Sequence, residues 1–154
     1  MPKINRDEIP VRVGGLYPGA LGEIVSKRKK QALGDAGGLT QFGVNLTVLP
    51  PGSASAHRHW HANEDEFVLI IAGNVALIED DGETELTPGD AAAFPAGRAV
   101  GHMLLNRSDT EVIVLEIGSR ANEEEVFYTD PDVDMKLTRK DAQWNITHKD
   151  GTSY

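Results

Sequence analysis

The sequence predicts an all-β protein, a small sandwich or barrel with an irregular N-terminal arm and a C-terminal extension, and three observations carry that prediction. Short runs in which apolar and polar residues alternate recur through the middle of the chain, the period of a half-buried strand. Compact clusters of Gly, Pro, Asn and Asp separate them and turn the backbone sharply. Strand-like runs never alternate with helical ones, which argues against a doubly wound sheet. The 154 residues suffice for one core and fall short of two comfortable ones. The expected organisation is an arm over residues 1–37, a barrel over 38–118 and an extension over 119–154 that packs on the barrel.

Taken in order, residues 1–37 hold Gly14-Gly15, Pro18-Gly19 and Gly37 with no sustained helical period, and read as irregular. From Thr40 the pattern changes: Phe42, Val44, Leu46 and Val48 alternate with Gly43, Asn45 and Thr47 until Pro50-Pro51-Gly52 ends the strand. Further strands are predicted at 56–61, 66–71, 75–79, 83–86, 91–94, 102–105 and 111–117. Between them lie turn sequences such as Ala72-Gly73-Asn74, Asp80-Asp81-Gly82, Pro88-Gly89-Asp90 and Pro95-Ala96-Gly97. Beyond the barrel, 121–126 reads as a helical turn, with Phe127-Tyr128 or Trp144 available to pack back.

Composition excludes several classes. With no cysteine there is no disulfide, thiolate zinc site or iron–sulfur cluster, so any metal must use nitrogen and oxygen ligands. A formal net charge of −9 speaks against a nucleic-acid partner. The basic run Lys27-Arg28-Lys29-Lys30 reads as a solvated loop. Asp130-Pro131-Asp132-Val133-Asp134 reads as another, lacking the Gly and distal Glu of a calcium loop. No apolar run approaches the roughly 20 residues that span a bilayer. The first eight residues carry early acids and no apolar stretch, so a cytoplasmic, membrane-free protein is expected.

The most informative segment is His57-Arg58-His59-Trp60-His61 with Glu66 five residues on, joined by His102 far downstream. On a strand, side chains two residues apart share a face, about 6.6 Å apart along it, so His59 and His61 can aim at one ion. His57 shares that parity, and a register using His57, His59, Glu64 and His102 also fits the spacing. The later register keeps six residues between Glu66 and Gly73 and leaves 67–71 whole as a strand.

Read in full, Gly52, six residues, His59-x-His61, four residues, Glu66, six residues and Gly73 are followed by Gly89, five residues, Pro95-x-Gly97, four residues, His102, three residues and Asn106. This resembles the two signature motifs of the cupin superfamily. Arg58-His59-Trp60-His61, Glu64-Asp65-Glu66-Phe67-Val68 and Phe94-Pro95-Ala96-Gly97 look like small single-domain bacterial cupins of the conserved-barrel type. One departure is the four-residue stretch Arg98-Ala99-Val100-Gly101 before His102, longer than cupins usually have. An extra pair of residues preserves strand parity, so His102 should still face inward.

The resemblance implies a small cupin β-barrel, a double-stranded β-helix or jelly roll. It makes His59, His61, Glu66 and His102 the ligands of one divalent transition metal: Fe, Mn, Ni, Co or Zn. Three imidazoles and one carboxylate suit such an ion and leave two octahedral positions for water or substrate. The function expected is an enzyme acting on a small polar metabolite by Lewis-acid or metal-centred chemistry, as an isomerase, lyase or dioxygenase. The alternative is a non-catalytic, metal-dependent binder of a sugar or small acid. Glu64 and His57 are nominated as catalytic groups, with Glu116 a further possible base. Arg58, Arg98 and Arg107 are the candidate clamp should the ligand carry phosphate. Asn106 reads as a turn residue. A homodimer is expected, the arm covering a neighbour's exposed edge strand.

Overall fold

In a computed structural model, which describes residues 3–154, the regular structure of the chain is mainly antiparallel strands. The N-terminal segment supplies 3-10 turns at Arg6–Glu8 and Gly19–Val25, β1 (Arg12–Val13), β2 (Lys29–Ala32) and the four-residue helix α1 (Leu33–Ala36). The middle of the chain supplies β3 (Phe42–Leu49), β4 (His59–His61), β5 (Glu66–Ala72), β6 (Val75–Glu79), β7 (Gly82–Leu86), β8 (Ala91–Phe94), β9 (Met103–Leu105) and β10 (Val112–Ser119). Three more follow: β11 (Glu124–Tyr128), β12 (Lys136–Lys140) and β13 (Gln143–Thr147). They form a six-stranded sheet in the order β1-β2-β3-β10-β5-β8, a four-stranded sheet β13-β12-β11-β4 and a three-stranded sheet β7-β6-β9. The all-β barrel expected from the alternating runs is the fold observed. Among the described residues no helix is long and apolar enough to cross a membrane.

The register fixes which residues share the barrel interior. Across β3 and β10, Val112 opposes Leu49, Val114 opposes Thr47, Glu116 opposes Asn45 and Gly118 opposes Gly43. Across β10 and β5, Glu116 opposes Val68 and Gly118 opposes Glu66. Directly opposed residues point to one face, so the inner wall changes character along its length. At one end Leu49, Val68, Ile70, Val112 and Val114 join Val75, Leu77, Leu86 and Leu104 in a closed apolar core. Each such side chain contributes about 1.5–3 kcal/mol on burial. At the other end the wall carries Asn45, Glu66 and Glu116 beside Gly43 and Gly118, leaving room and polarity.

Gly73 shows why the turn between β5 and β6 takes glycine. Its φ of +77° is in the left-handed region, and a Cβ there would stand 2.7 Å from the Glu111 carbonyl oxygen.

Four local expectations are corrected. The 121–126 stretch is no helical turn: from Glu124 it runs as β11, paired on one side with β12 and on the other with β4. Two cross-strand partners override the helical preference of a Glu-rich run. The N-terminal segment is less irregular than its Gly and Pro content suggests, since β2 pairs with β3 and extends the large sheet; its first two residues lie outside those described. The basic run is not a solvated loop. Arg28 and Lys30 are partly buried, and Lys30 faces inward because it opposes Thr47. The 130–134 segment is likewise tied down, with Val133 buried in a second cluster with Val126, Tyr128 and Met135 and Asp130 paired with Arg58 at 2.6 Å.

Candidate metal centre

Strand β4 is three residues long and is held by β11, with His59 opposite Tyr128, Trp60 opposite Phe127 and His61 opposite Val126. Alternation turns Trp60 outward, where it stacks on Phe127 at 4.4 Å between centroids, and turns both histidines inward. Glu66, at the start of β5, meets them: its Oε2 lies 3.9 Å from His59 Nε2 and 3.8 Å from His61 Nε2. His59, His61 and Glu66 each offer a ligand atom, all within 4.8 Å of one another, a cluster that could hold a metal ion. His102 approaches from the opposite side, its backbone bridged to His59 by reciprocal N–H···O bonds of 3.2 and 3.0 Å. Its Nε2 lies 3.0 Å from Glu66 Oε2, and its ring stacks on Phe94 at 3.6 Å. His102 therefore joins the trio through Glu66, and the longer loop before it does not turn it away.

The donor set fits a borderline divalent metal. His59 Nδ1 donates to the His57 carbonyl at 2.8 Å, the outer hydrogen bond that fixes the tautomer of a metal-binding histidine and leaves Nε2 as the free lone pair. The buried Nδ1 atoms of His61 and His102 have no hydrogen-bond partner. Burial, the largest cause, pushes His59 down from 6.5 to about 3 against the pull of Glu66, so at neutral pH this imidazole is an available ligand. Burial would raise Glu66, but the hydrogen bond from His102 and the neighbouring imidazoles bring it down to about 2.

The other predicted residues divide. His57 is turned away from the cluster: its Nε2 lies 2.8 Å from the Leu21 carbonyl and its ring packs edge-on against Tyr17. Glu64 is buried beside the cluster, accepting from Ala121 N at 2.9 Å and pairing with Arg139. Glu116 faces inward and pairs with Lys30 at 2.6 Å. None of the three clamp candidates lines the cavity above His59, His61 and Glu66: Arg58 binds Asp130 and Asp80, Arg107 binds Glu83, and Arg98 lines a separate small cleft that also includes His61 and His102. Asn106 is fully buried and its amide donates to the carbonyls of Leu49 and Thr110, both at 2.7 Å.

Above the cluster opens a cavity of about 350 Å³. Its wall carries four acids, Glu64, Asp65, Glu66 and Glu116, and four cations, Arg28, Lys30, Arg120 and Arg139. Arg28 and Lys30 belong to the basic run read from the sequence as a solvated loop, and Arg120 and Arg139 carried no signal there. The register of β2 against β3 and the return of β12 bring Arg28, Lys30 and Arg139 to this wall, and Arg120 follows directly on β10. Glu124 was missed as well. It is buried and accepts backbone N–H bonds from Ala62, Asn63 and Glu125, tying β11 to the loop that presents Glu66. Burial alternates through 124–128, covering Glu124, Val126 and Tyr128, but the sequence Glu-Glu-Val-Phe-Tyr carries no matching polar and apolar alternation.

Barrel and cluster together define a class: an all-β barrel carrying a candidate metal site inside its polar mouth. The chain belongs to the cupin superfamily, and residues 45–118 match the family model for a cupin domain. A sugar phosphate isomerase of the cupin superfamily from Silicibacter pomeroyi DSS-3 is 43% identical, with a TM-score of 0.94 over 99% of this chain and 96% of that one. A candidate sugar phosphate isomerase from Acidithiobacillus ferrooxidans is 29% identical, with a TM-score of 0.77 over 96% of this chain and 88% of that one. At 18% identity a predicted oxalate decarboxylase from Thermotoga maritima shares the fold, with a TM-score of 0.63 over 78% of this chain and all of that one. A search of the curated proteins finds no match.

Proposed function

We propose that this cupin is a metal-dependent enzyme acting on a small polar metabolite, and that the reaction is an isomerisation. The observation that carries the reading is the convergence of His59 Nε2, His61 Nε2 and Glu66 Oε2 at an open cavity. His102 completes the ligand set. A bound divalent ion would act as a Lewis acid toward a substrate carbonyl or hydroxyl oxygen. The choice of isomerase over lyase or dioxygenase is supported by the name of the 43%-identical relative.

The chain's own residues then hold and shape the substrate. Glu64 and Glu116 both line the cavity, each beside a cation, and are the groups placed to take a proton from a substrate carbon and return it to the adjacent one. His57 supports the 17–21 segment through Leu21 and Tyr17 and is not assigned a proton-transfer role. The cavity suits a ligand of a few carbons with several hydroxyl groups.

Protein purified without added metal is assayed for metal content, then incubated in D₂O with a panel of aldose and ketose phosphates. One divalent ion per chain and deuterium entry at the carbon next to the carbonyl are the expected results. Unchanged substrates recovered from metal-loaded protein that nonetheless binds them would replace the enzyme reading with that of a sugar or small-acid binder. A homodimer is part of the same proposal, supported by exposed Val13 on β1, the edge of the large sheet, and by exposed Val11 and Leu16 flanking it. A monomeric mass in solution at micromolar protein would remove it.

A further inference from the structure

Three of the four cations on the cavity wall are already matched by a carboxylate: Lys30 by Glu116, Arg120 by Asp35 and Arg139 by Glu64. Arg28 is the exception. Its guanidinium donates to the neutral carbonyls of Ser55 and of Gly14, the latter at 2.9 Å. Among the described residues no carboxylate pairs with it, and its Nε–H is buried without a partner. Two of the five N–H groups of an arginine are thus occupied, and its positive charge is left uncompensated in a partly buried position. Such a charge is costly without an anion beside it.

Arg28 is also held rigidly. The Gly14 N–H donates back to the Arg28 carbonyl at 2.8 Å, so side chain and backbone are clasped by one residue. Gly15 packs over the guanidinium, where a Cβ would stand 3.1 Å from Nη2 and 3.0 Å from Val25 Cγ2. A donor fixed before its ligand arrives loses little freedom on binding. Tyr128 lines the same cavity, with its ring 5.9 Å from that of His59.

We infer that Arg28 is the anion anchor of the cavity, receiving the phosphate or carboxylate of a small substrate whose other end reaches His59, His61 and Glu66. The inference rests on reading the cavity as the substrate chamber and adds the charge class of the substrate. A planar guanidinium with free N–H groups matches two oxygens of such a group at once.

The test uses the metal-free full chain with inorganic phosphate and, separately, acetate as probes. Binding is followed by calorimetry and through the side-chain Nε–H resonance of Arg28. Saturable binding that shifts this resonance, and that weakens at least about tenfold in Arg28→Gln, is expected, with Arg107→Gln, outside the cavity and paired with Glu83, changed by less than about threefold. Tighter phosphate identifies a phosphate monoester as the substrate group, and tighter acetate a carboxylate. An Arg28 resonance that does not move, binding that survives Arg28→Gln, or binding seen only after metal loading overturns the proposal. Should Arg28→Gln fail to fold, the resonance of the unaltered chain decides. Because the probes need no metal, a His59→Ala chain retains anion binding even if the metal-dependent reading fails.

Discussion

The two ends of the barrel interior rest on the same three strands and differ in what those strands point inward. At the closed end β3, β5 and β10 contribute Leu49, Ile70, Val112 and Val114, all essentially inaccessible. A few residues along, they contribute Asn45, Glu66 and Glu116 to the cavity wall. The continuous register of β10 on β3 means that no backbone irregularity marks the change along that pair. The lesson is a division of labour: the closed end supplies the burial that stabilises the barrel, and the open end carries groups whose burial is costly unless they bind something. Substitutions at the two ends should therefore separate stability from binding.

The largest effect is expected at the open end. His59→Ala removes a ligand atom and should weaken metal binding by more than about 100-fold, while the metal-free chain unfolds at a temperature no lower than before. Metal titration and thermal melts of the same preparation check both halves. At the closed end the pattern reverses. Leu49→Ala leaves a cavity among Val112, Ile70 and their neighbours and should cost about 2–5 kcal/mol, with metal stoichiometry unchanged. Loss of metal from a folded Leu49→Ala chain would break the division.

Acid should act on the open end in a definite direction. His59 is held down at about 3 from 6.5, so between these values the unfolded chain takes up a proton that the folded chain refuses. Its contribution is complete above about pH 6.5 and is lost as the pH falls toward 3. Glu66, lowered from 4.5 to about 2, adds a second contribution, present above about 4.5 and lost as the pH falls toward 2. Melting temperatures of the metal-free protein should fall steadily below about pH 6.5, and His59→Gln should flatten the upper part of the profile. A flat profile from pH 7 to pH 4 in the unaltered chain would show that His59 is not buried neutral.

What could be read from the sequence follows the same line. His59, His61 and Glu66 were legible because strand parity and turn spacing are local: two residues set a face, and Gly73 sets a register. The closed end was legible as strands but not as faces: alternation in Phe42 to Val48 marks Phe42, Val44, Leu46 and Val48 as the apolar set, whereas the register turns Asn45, Thr47 and Leu49 inward, and 111–117 is apolar on both faces. Arg28 and Lys30 were not, because Lys29 to Ala32 show no apolar alternation and become a strand only by pairing with β3. Glu124 hid in a run of three glutamates whose helical preference is overruled by β4 and β12. His57 shared the parity of the ligands, yet the chain bends before β4, and the side chain is drawn to Leu21. Local pattern reports a strand and its faces; which distant charge reaches a site depends on pairings that one strand cannot specify.

The smallest effect is expected for the pair that straddles the two ends. Lys30 and Glu116 form an ion pair of 2.6 Å, with the glutamate nearly buried and the lysine about one-third exposed (29%). Desolvation offsets most of the attraction within such a pair. Replacing both together, Lys30→Met with Glu116→Leu, should therefore shift stability by less than about 1 kcal/mol or raise it, whereas Glu116→Leu alone leaves a cation against the wall and should cost more. Denaturant melts of the double and single variants measure the difference. If the pair serves proton transfer, the double variant should fold, bind metal as before and lose deuterium exchange into substrate. If instead the double variant is strongly destabilised, the ion pair belongs with the structural end of the barrel, and the boundary between the two ends moves one residue pair toward the mouth.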